Sequence, residues 1–321
     1  MGPIVYSYKV NNQGKAININ SMPEVISDQE YCWFHLSANH KKSMEWLMKH
    51  TTMSSVAMEM LLSKDSRPNV VQFPKGVLLT LRAVNIDNEL SKEVFNAINI
   101  WISDSYVITS RHIKILAIND LADQFENDQV PPSKSSLILQ LIHHLQKRVV
   151  AVVRELEDQI EHVEGRVING EKDNIRSEII NLRKKTVEIR RYLVPQREAL
   201  YNLSHEGLNI MDKEGAIGLR YYYDKSVRLV EELDIAREHI LLVQEEVVNL
   251  QNDRMNRSMY KLSILSALFL PLGFITGLLG VNLGGIPGGS NKYAFRIVVI
   301  VSLVYLLVSS LYYILKGQKN S

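Results

Sequence analysis

The chain has 321 residues, 46% of them hydrophobic, and a formal net charge of +2. That charge is too small to favour a nucleic-acid partner. A single cysteine, Cys32, excludes an internal disulfide and any zinc site built from cysteine pairs. No basic segment followed by an apolar run opens the chain, so we expect no secretory leader and a soluble part that stays in the cytoplasm.

The first part of the chain mixes strand and helix patterns. Apolar and β-branched runs bounded by glycine or proline predict strands. These runs are residues 4–10, 77–84, 95–102 and 106–110. Helical periodicity appears at 41–62 and 115–125. We therefore predict an α/β or α+β domain at residues 1–132, with a sheet of about five strands.

Two prolines followed by Ser133 end this domain, and Ser133 is a suitable N-cap for the next helix. Gly165 and Gly170 are expected to end that helix, and Pro195 is expected to kink the one after it. The predicted bounds are 134–167 for the first helix, 171–203 for the second and 207–215 for a loop.

Residues 219–270 contain neither glycine nor proline. An unbroken helix of that length would extend roughly 78 Å, whereas a globular helix usually has about 11–12 residues. We predict a cytoplasmic long-helix domain at 133–257, forming a stalk that continues into the membrane without a break.

Residues 258–321 are predicted to form a transmembrane domain. Segments 262–283 and 294–315 each supply about the 20 apolar residues that a span needs, and an outer loop at 284–293 joins them. Two helices cannot enclose a water-filled path, so a function in transport requires several copies of the chain.

Basic residues flank the stalk side of the predicted spans, and the positive-inside rule therefore places both termini in the cytoplasm. These residues are Arg254, Arg257, Lys261, Lys316 and Lys319, whereas Lys292 and Arg296 lie on the outer side and depart from the rule. Pro271, within the first span, leaves one carbonyl without its helical donor. A tolerated kink and a gating role are both open for it.

Small and polar residues follow one face of the long helix. Counting back from Gly280 in alternating steps of three and four residues gives mainly Asn, Ser and Gly. This set, the polar stripe, consists of Asn249, Asn252, Asn256, Met259, Ser263, Ser266, Leu270, Gly273, Gly277 and Gly280. Such residues on a membrane helix face protein or water rather than lipid. The stripe indicates either close, dry helix packing or an aqueous pore narrowed at Met259 and Leu270.

Acidic residues continue the stripe toward the stalk as Glu245, Glu238 and Glu231. Rings of carboxylates near an inner mouth would concentrate cations, which makes Glu245 a candidate metal contact there. The simpler interpretation is a solvated helix face paired to neighbouring Arg and Lys residues.

The triplet Gly280-Val281-Asn282 is the candidate ion-selectivity motif. The carboxamide oxygen of Asn282 is a strong dipole without net charge, so a ring of them can hold part of a cation's hydration shell without tight binding. Gly280 permits a turn that ends the helix. An asparagine after a glycine is also typical of a simple helix C-cap.

Three C-terminal segments resemble the CorA superfamily of divalent-cation transporters: 256–263, 269–277 and 280–288. The Gly-x-Asn triplet between two C-terminal spans is the signature of that superfamily. The Leu-Gly-Gly-Ile-Pro-Gly sequence after it resembles the ZntB zinc-transporter branch rather than the magnesium branch. Upstream segments 33–36, 79–85, 101–102 and 108–111 also resemble that branch.

The resemblance implies a funnel-shaped homopentamer with its α/β domains in the cytoplasm. The first spans would line a central pore, the second spans would form an outer ring in the membrane lipid, and Asn282 would meet a hydrated cation at the outer mouth. It implies Zn²⁺ as the main cargo, no cofactor, and uptake coupled to protons, although efflux has also been proposed for the branch. The alternatives are a Mg²⁺ or Co²⁺ channel of the CorA kind and a membrane-anchored oligomeric scaffold or sensor.

The chemistry of the outer turn bears on how zinc would pass. Residues 283–293 contain no Asp or Glu, and Lys292 would repel cations unless it points away. Amides are poor ligands for bare Zn²⁺, which prefers His, Cys and carboxylates. We therefore expect zinc to pass largely hydrated.

The histidines raise one further hypothesis. His162 follows Asp158 by one helical turn and has Glu161 beside it, and His143 and His144 are adjacent. A cytoplasmic metal-sensing site at His162 is therefore a hypothesis, although surface helix residues are the simpler interpretation. The sequence shows no phosphate-binding glycine loop, nucleophile elbow or zincin motif, so we expect no catalytic residue and no enzymatic activity.

Overall fold

The computed structural model describes residues 2–11, 13–19, 21–23, 26–27, 30–84, 95–171, 173–205, 210–281 and 291–319. The chain forms two compact units, Met1–Gln244 and Glu245–Ser321. The domain boundaries predicted from the sequence, after residues 132 and 257, stay predictions.

A mixed sheet of seven strands forms the centre of the first unit. The strands are β1 (Ile4–Val10), β2 (Ala16–Asn18), β3 (Tyr31–Ser37), β4 (Asn69–Phe73), β5 (Gly76–Val84), β6 (Phe95–Ile102) and β7 (Tyr106–Arg111). Their order is β2-β1-β3-β7-β6-β5-β4, and every pair is antiparallel except β3 with β7. The prediction of about five strands was too low, because β2 has only three residues and β4 is a half-exposed edge strand.

Seven helices complete the described fold. They are α1 (Ser43–His50), α2 (Ser55–Leu61), α3 (Leu116–Glu126), α4 (Lys134–Ile168), α5 (Ile175–His205), α6 (Lys213–Leu279) and α7 (Ala294–Lys319). The Ser133 cap is confirmed, since its side chain accepts a hydrogen bond from the N–H of Ser136 at 3.1 Å. Helix α5 continues through Pro195 and α6 through Pro271.

Several predicted helix bounds were wrong. The segment 41–62 forms two helices, because Thr51 is extended and Ser54 caps a new helix by accepting the N–H of Ala57. The prediction for α4 was nearly right: the helix continues past Gly165 and ends at Ile168, one residue after the predicted bound of 167. Helix α6 begins inside the predicted loop 207–215, where Asp212 accepts the N–H of Gly215 at 2.6 Å.

Helices cover both faces of the sheet. On one face, Phe34 and Leu36 of β3 share a core with residues of α1 and α2, including Leu47 and Leu61. On the other face, Trp33 shares a core with residues of α3, α4, α5 and the start of α6. Successive residues of a strand point to opposite faces, so β3 contributes to both cores.

Polar contacts join α6 to α4 and α5 within the first unit. The amide of the buried Gln146 donates to the carbonyl of Tyr222 and to the hydroxyl of Ser226, at 2.8 and 2.7 Å. Arg190 pairs with Asp234 at 2.7 Å, and a ring nitrogen of His239 lies 2.9 Å from a carboxylate oxygen of Glu164. The last buried residue of α6 in this unit is Val243.

Candidate functional site

The second unit contains two helical segments that are long and apolar enough to span a membrane. They are the C-terminal part of α6, which ends at Leu279, and residues Ala294–Tyr313 of α7. By length and composition, this confirms the two predicted spans. Helix α6 ends four residues before the predicted limit of 283, because Gly280 forms a turn in which its N–H meets the carbonyls of Thr276 and Gly277.

Helix α7 covers one face of the α6 span. The half-buried residues of that span are Ile264, Leu268, Pro271 and Leu272. They recur at three- and four-residue intervals, as expected for one face of a helix. Helix α7 has a matching half-buried row that includes Ser302 and Tyr305, and the hydroxyl of Tyr305 donates to the carbonyl of Ala267 at 3.2 Å.

The polar stripe lies nearly opposite the face that α7 covers. At about 100° per residue, its members in the span are roughly 160° from the half-buried row. All its residues are exposed, and the bulkiest, Met259 and Leu270, are 59% and 72% exposed. Within the second unit, therefore, α7 leaves the whole stripe free.

The glycines of the stripe test the packing interpretation. Gly273 and Gly277 have the spacing that lets two membrane helices approach closely. A Cβ added at either position would meet nothing within 4 Å. The close approach that these glycines permit is therefore not made with α7.

Basic residues near the inner end of the span lie away from the stripe. Arg254, Arg257 and Lys261 are on the side of α6 opposite Asn252 and Asn256, again at about 100° per residue. Their positive charges therefore do not line the candidate path.

The acidic continuation of the stripe is exposed. Glu231, Glu238 and Glu245 form no ion pair with a described residue. The expected pairing to neighbouring Arg and Lys is thus absent from the part of the chain that the structure describes, and these carboxylates are available to solvent cations.

The structure places only part of the selectivity motif. Gly280 and Val281 follow the end of α6 and are exposed. Asn282 and the outer loop up to residue 290 lie outside the described residues. The role of Asn282 therefore stays a prediction.

The metal-sensing hypothesis gains no support among the described residues. His162 and Asp158 line a cavity of about 350 Å³ with Glu155 and Glu178. Both oxygens of Glu178 accept from Arg166, at 2.8 and 2.7 Å, and Glu155 lies 3.5 Å from Lys185. No described group of three or more His, Cys, Asp or Glu side chains has an arrangement that could hold a metal ion.

The adjacent His143 and His144 contact other residues, Tyr222 and Asp120 respectively. His144 lies 3.7 Å from the same Asp120 oxygen that accepts from Arg148 at 2.7 Å. Burial lowers the pKa of His144 although Asp120 opposes the shift. Burial, Lys225 and Lys147 lower the pKa of His143.

A second cavity, of about 440 Å³, lies between α5 and α6 and has the wrong charge for a cation. Four arginines line it, and only one of them, Arg190, forms a salt bridge among the described residues, with Asp234. The four lining arginines are Arg183, Arg190, Arg191 and Arg237.

The sequence profile of the CorA-like Mg²⁺ transporter proteins matches residues 28–316, which is most of the chain. The chain belongs to the CorA-like Mg²⁺ transporter family. This membership confirms the superfamily that the C-terminal segments resemble and assigns divalent-cation transport, a membrane function, to the chain. The family consists of transporters rather than enzymes.

Curated relatives within the CorA-like family include zinc transporters. The zinc transport protein ZntB of Yersinia enterocolitica is 29% identical over 304 residues, covering 94% of this chain and 92% of that protein. The divalent cation transporter CmaX of Pseudomonas aeruginosa is 29% identical over 297 residues, covering 91% and 90%. These relatives support the ZntB branch that the sequence indicates.

Solved CorA-like structures share the fold over nearly the whole chain. The full-length CmaX protein has a TM-score of 0.82, with 26% identity and 99% of both chains covered. The CorA magnesium transporter from Methanocaldococcus jannaschii has a TM-score of 0.84 and 19% identity, with 96% and 97% covered. The fold prediction, an α/β soluble part with long helices and two C-terminal spans, is thereby confirmed.

Proposed function

We propose that the chain carries Zn²⁺ across the bacterial inner membrane as a homopentamer in which five polar stripes surround a central aqueous path. Both termini lie in the cytoplasm in this proposal. The basic residues at the stalk side of the spans support that orientation.

The observation that carries the proposal is the position of the stripe opposite α7. A line of amides, hydroxyls and glycines in a membrane helix is unfavourable against lipid. Since α7 packs on the other side, the stripe needs several copies of α6 around an axis. Rings of identical chains close by such head-to-tail contacts.

The chemistry of the stripe suits a hydrated ion. Amide and hydroxyl oxygens exchange hydrogen bonds with the water shell of a cation but bind bare Zn²⁺ poorly. Met259 and Leu270 would form the two apolar constrictions, where dewetting can stop the ion. Asn282 is proposed as the outer ring and Glu245 as the inner one.

Zinc is preferred over magnesium because the curated relatives include ZntB proteins and because the sequence after the Gly-x-Asn triplet resembles that branch. The family profile itself is named for Mg²⁺. A Mg²⁺ or Co²⁺ channel is therefore the competing assignment, and the test must include those ions.

The test uses the purified full-length chain in lipid vesicles loaded with a zinc-sensitive dye. We expect Zn²⁺ entry to exceed Mg²⁺ entry, which is measured with a magnesium dye. We also expect Asn282→Leu to reduce Zn²⁺ entry strongly. Leu265→Phe, an exposed position off the stripe, is the matched control and should keep the flux. Zinc flux unchanged in Asn282→Leu would overturn the role of Asn282.

Two further outcomes separate the mechanisms. A channel gives flux that follows membrane potential alone, whereas a proton-coupled carrier responds to an imposed pH gradient. No flux of any divalent cation from well-folded protein would leave the oligomeric scaffold as the explanation of the stripe.

A further inference from the structure

Pro271 creates a specific defect in the α6 span. In an α-helix the N–H of residue 271 would donate to the carbonyl of residue 267. Proline has no N–H, and its ring crowds that same carbonyl. The carbonyl of Ala267 therefore needs a donor from outside the helix, and hydrocarbon supplies none.

Helix α7 supplies that donor. The hydroxyl of Tyr305 donates to the carbonyl oxygen of Ala267 at 3.2 Å. Tyr305 is half-buried on the face of α7 that meets α6. The hydrogen bond thus replaces the one that Pro271 removes, and it joins two helices through residues that lie 38 positions apart in the chain.

The defect lies next to the candidate constriction. Leu270 of the polar stripe directly precedes Pro271. Just beyond it, the hydroxyl of Thr276 donates to the carbonyls of Leu272 and Gly273, at 2.9 and 3.2 Å. Such back-bonding often bends helices. The direction that α6 takes here decides how far the Leu270 side chain projects toward the candidate path.

We propose that Tyr305 is a positioning residue for transport: its hydroxyl supplies the hydrogen bond to the Ala267 carbonyl that Pro271 cannot make, and thereby fixes the α6 segment that carries Leu270. This inference rests on the proposed function, because it assumes that Leu270 borders the ion path. It assigns to α7, the helix away from the stripe, a defined part in setting the constriction.

The test is a double-mutant cycle with Tyr305→Phe and Pro271→Ala in vesicles. Tyr305→Phe keeps the ring and removes only the donor, so we expect zinc flux to fall about threefold, the effect of about 0.6 kcal/mol for a hydrogen bond between membrane helices. Pro271→Ala restores the N–H to Ala267. In that background Tyr305→Phe should change the flux by less than about 1.5-fold, since the carbonyl no longer needs the hydroxyl.

Tyr313→Phe on the same helix is the matched control, because the Tyr313 hydroxyl makes no hydrogen bond to a described residue. The same four proteins are also heated in detergent, which keeps the test decisive if Pro271→Ala transports nothing. If the hydroxyl acts only locally, Tyr305→Phe should reduce the flux by the same factor with Pro271 present and in the Pro271→Ala background, and should lower the melting temperature by the same amount in both. That result overturns the proposal. Wild-type protein without flux would instead contradict the proposed function, and the melting cycle would still report on the hydrogen bond.

Discussion

The side-chain oxygen of Gln196 accepts a hydrogen bond from the main-chain N–H of Arg82 at 2.8 Å. Gln196 is buried in α5, directly after Pro195, and Arg82 lies in β5. Strand β4 pairs with β5 only as far as Thr80, so Gln196 bonds an N–H beyond the end of that ladder. One amide thereby joins a long helix to the sheet.

Gln196→Leu should destabilise the first unit by about 1–3 kcal/mol, because it leaves a buried N–H without a partner. Unfolding by denaturant can be followed through tryptophan fluorescence, since Trp33, Trp46 and Trp101 all lie in that unit. Gln159→Leu on the exposed surface of α4 is the control and should cost less than about 0.5 kcal/mol. Equal losses of unfolding free energy in the two variants would mean that the hydrogen bond from Arg82 to Gln196 does not stabilise the unit.

The same Gly→Ala change should have opposite effects at two positions. A Cβ at Gly76 would lie 2.5 Å from the carbonyl oxygen of Ile102 and 2.7 Å from the ring of Trp101, so Gly76→Ala should destabilise the unit by about 1–3 kcal/mol. A Cβ at Gly165 in α4 would meet nothing within 4 Å, so Gly165→Ala should stabilise it by about 0.5–1 kcal/mol. Denaturant midpoints of the two variants measure both signs, and a stable Gly76→Ala protein would contradict the tight fit at that turn.

Acid should weaken the first unit through His35. Its ring is fully buried, with Thr109 2.8 Å from Nδ1, and burial together with the charge of Arg111 holds the pKa of His35 well below its ordinary value. The unfolded chain then binds the proton more readily than the folded one. Stability is therefore complete above about pH 6.5 and falls as the pH decreases below it.

His35→Phe removes this titration. We expect the slope of stability against pH between about 6.5 and 5 to become shallower, by at most about 1.4 kcal/mol per pH unit for one proton. Denaturant unfolding at several pH values measures the slope. A variant that keeps the wild-type slope would assign the acid sensitivity to other groups, such as His143 and His144.

Most of the core architecture could be predicted from local patterns. Alternating and continuous apolar runs located β1, β5, β6 and β7, and the charge-free runs located both spans. The short strand β2 and the half-exposed β4 carry too little apolar signal. The buried strand β3 was also not located, so the predicted sheet was too small. The break at Thr51 was missed because the apolar periodicity of α1 continues into α2.

Glycines misled the prediction at the start of α6. Gly215 was predicted to end a loop, but it lies within α6. Glycine is needed there because α4 passes close by: an added Cβ would lie 2.7 Å from the side chain of Ser135 at Gly215 and 2.4 Å from that of Leu139 at Gly218. Such close approach is a tertiary fact that no local pattern contains.

Part of the candidate site could likewise be predicted from the sequence, and part could not. Helical periodicity predicted the stripe, because one face of one helix is a local property. The opposite position of α7 and the bond from Tyr305 to Ala267 depend on how two spans pack, and no sequence spacing encodes that pairing. Pro271 alone indicated that some donor was needed.

A charge placed on the stripe should act differently from a charge removed behind it. Asn256→Lys would put a positive group in the path of each copy, and we expect zinc flux to fall by about tenfold or more, as a barrier raised by about 1.4 kcal/mol produces. Arg257→Gln changes a neighbouring residue on the far side of α6 and should keep the flux within about twofold. Vesicle uptake at equal protein content compares them, and similar losses in both would remove the distinction between the two faces.

The central claim is that the polar stripe borders water between copies of the chain, and cysteine accessibility tests it most directly. The one native cysteine, Cys32, is buried, and burial raises the pKa of its thiol to about 11, so it should react little with a water-soluble thiol reagent. Single variants Ser263→Cys, Ser266→Cys and Leu265→Cys in the vesicle-embedded protein are treated with a charged methanethiosulfonate while zinc flux is recorded. We predict that both serine positions are modified and lose flux, whereas Leu265→Cys does neither; protected stripe cysteines in a protein that still conducts zinc would contradict the account.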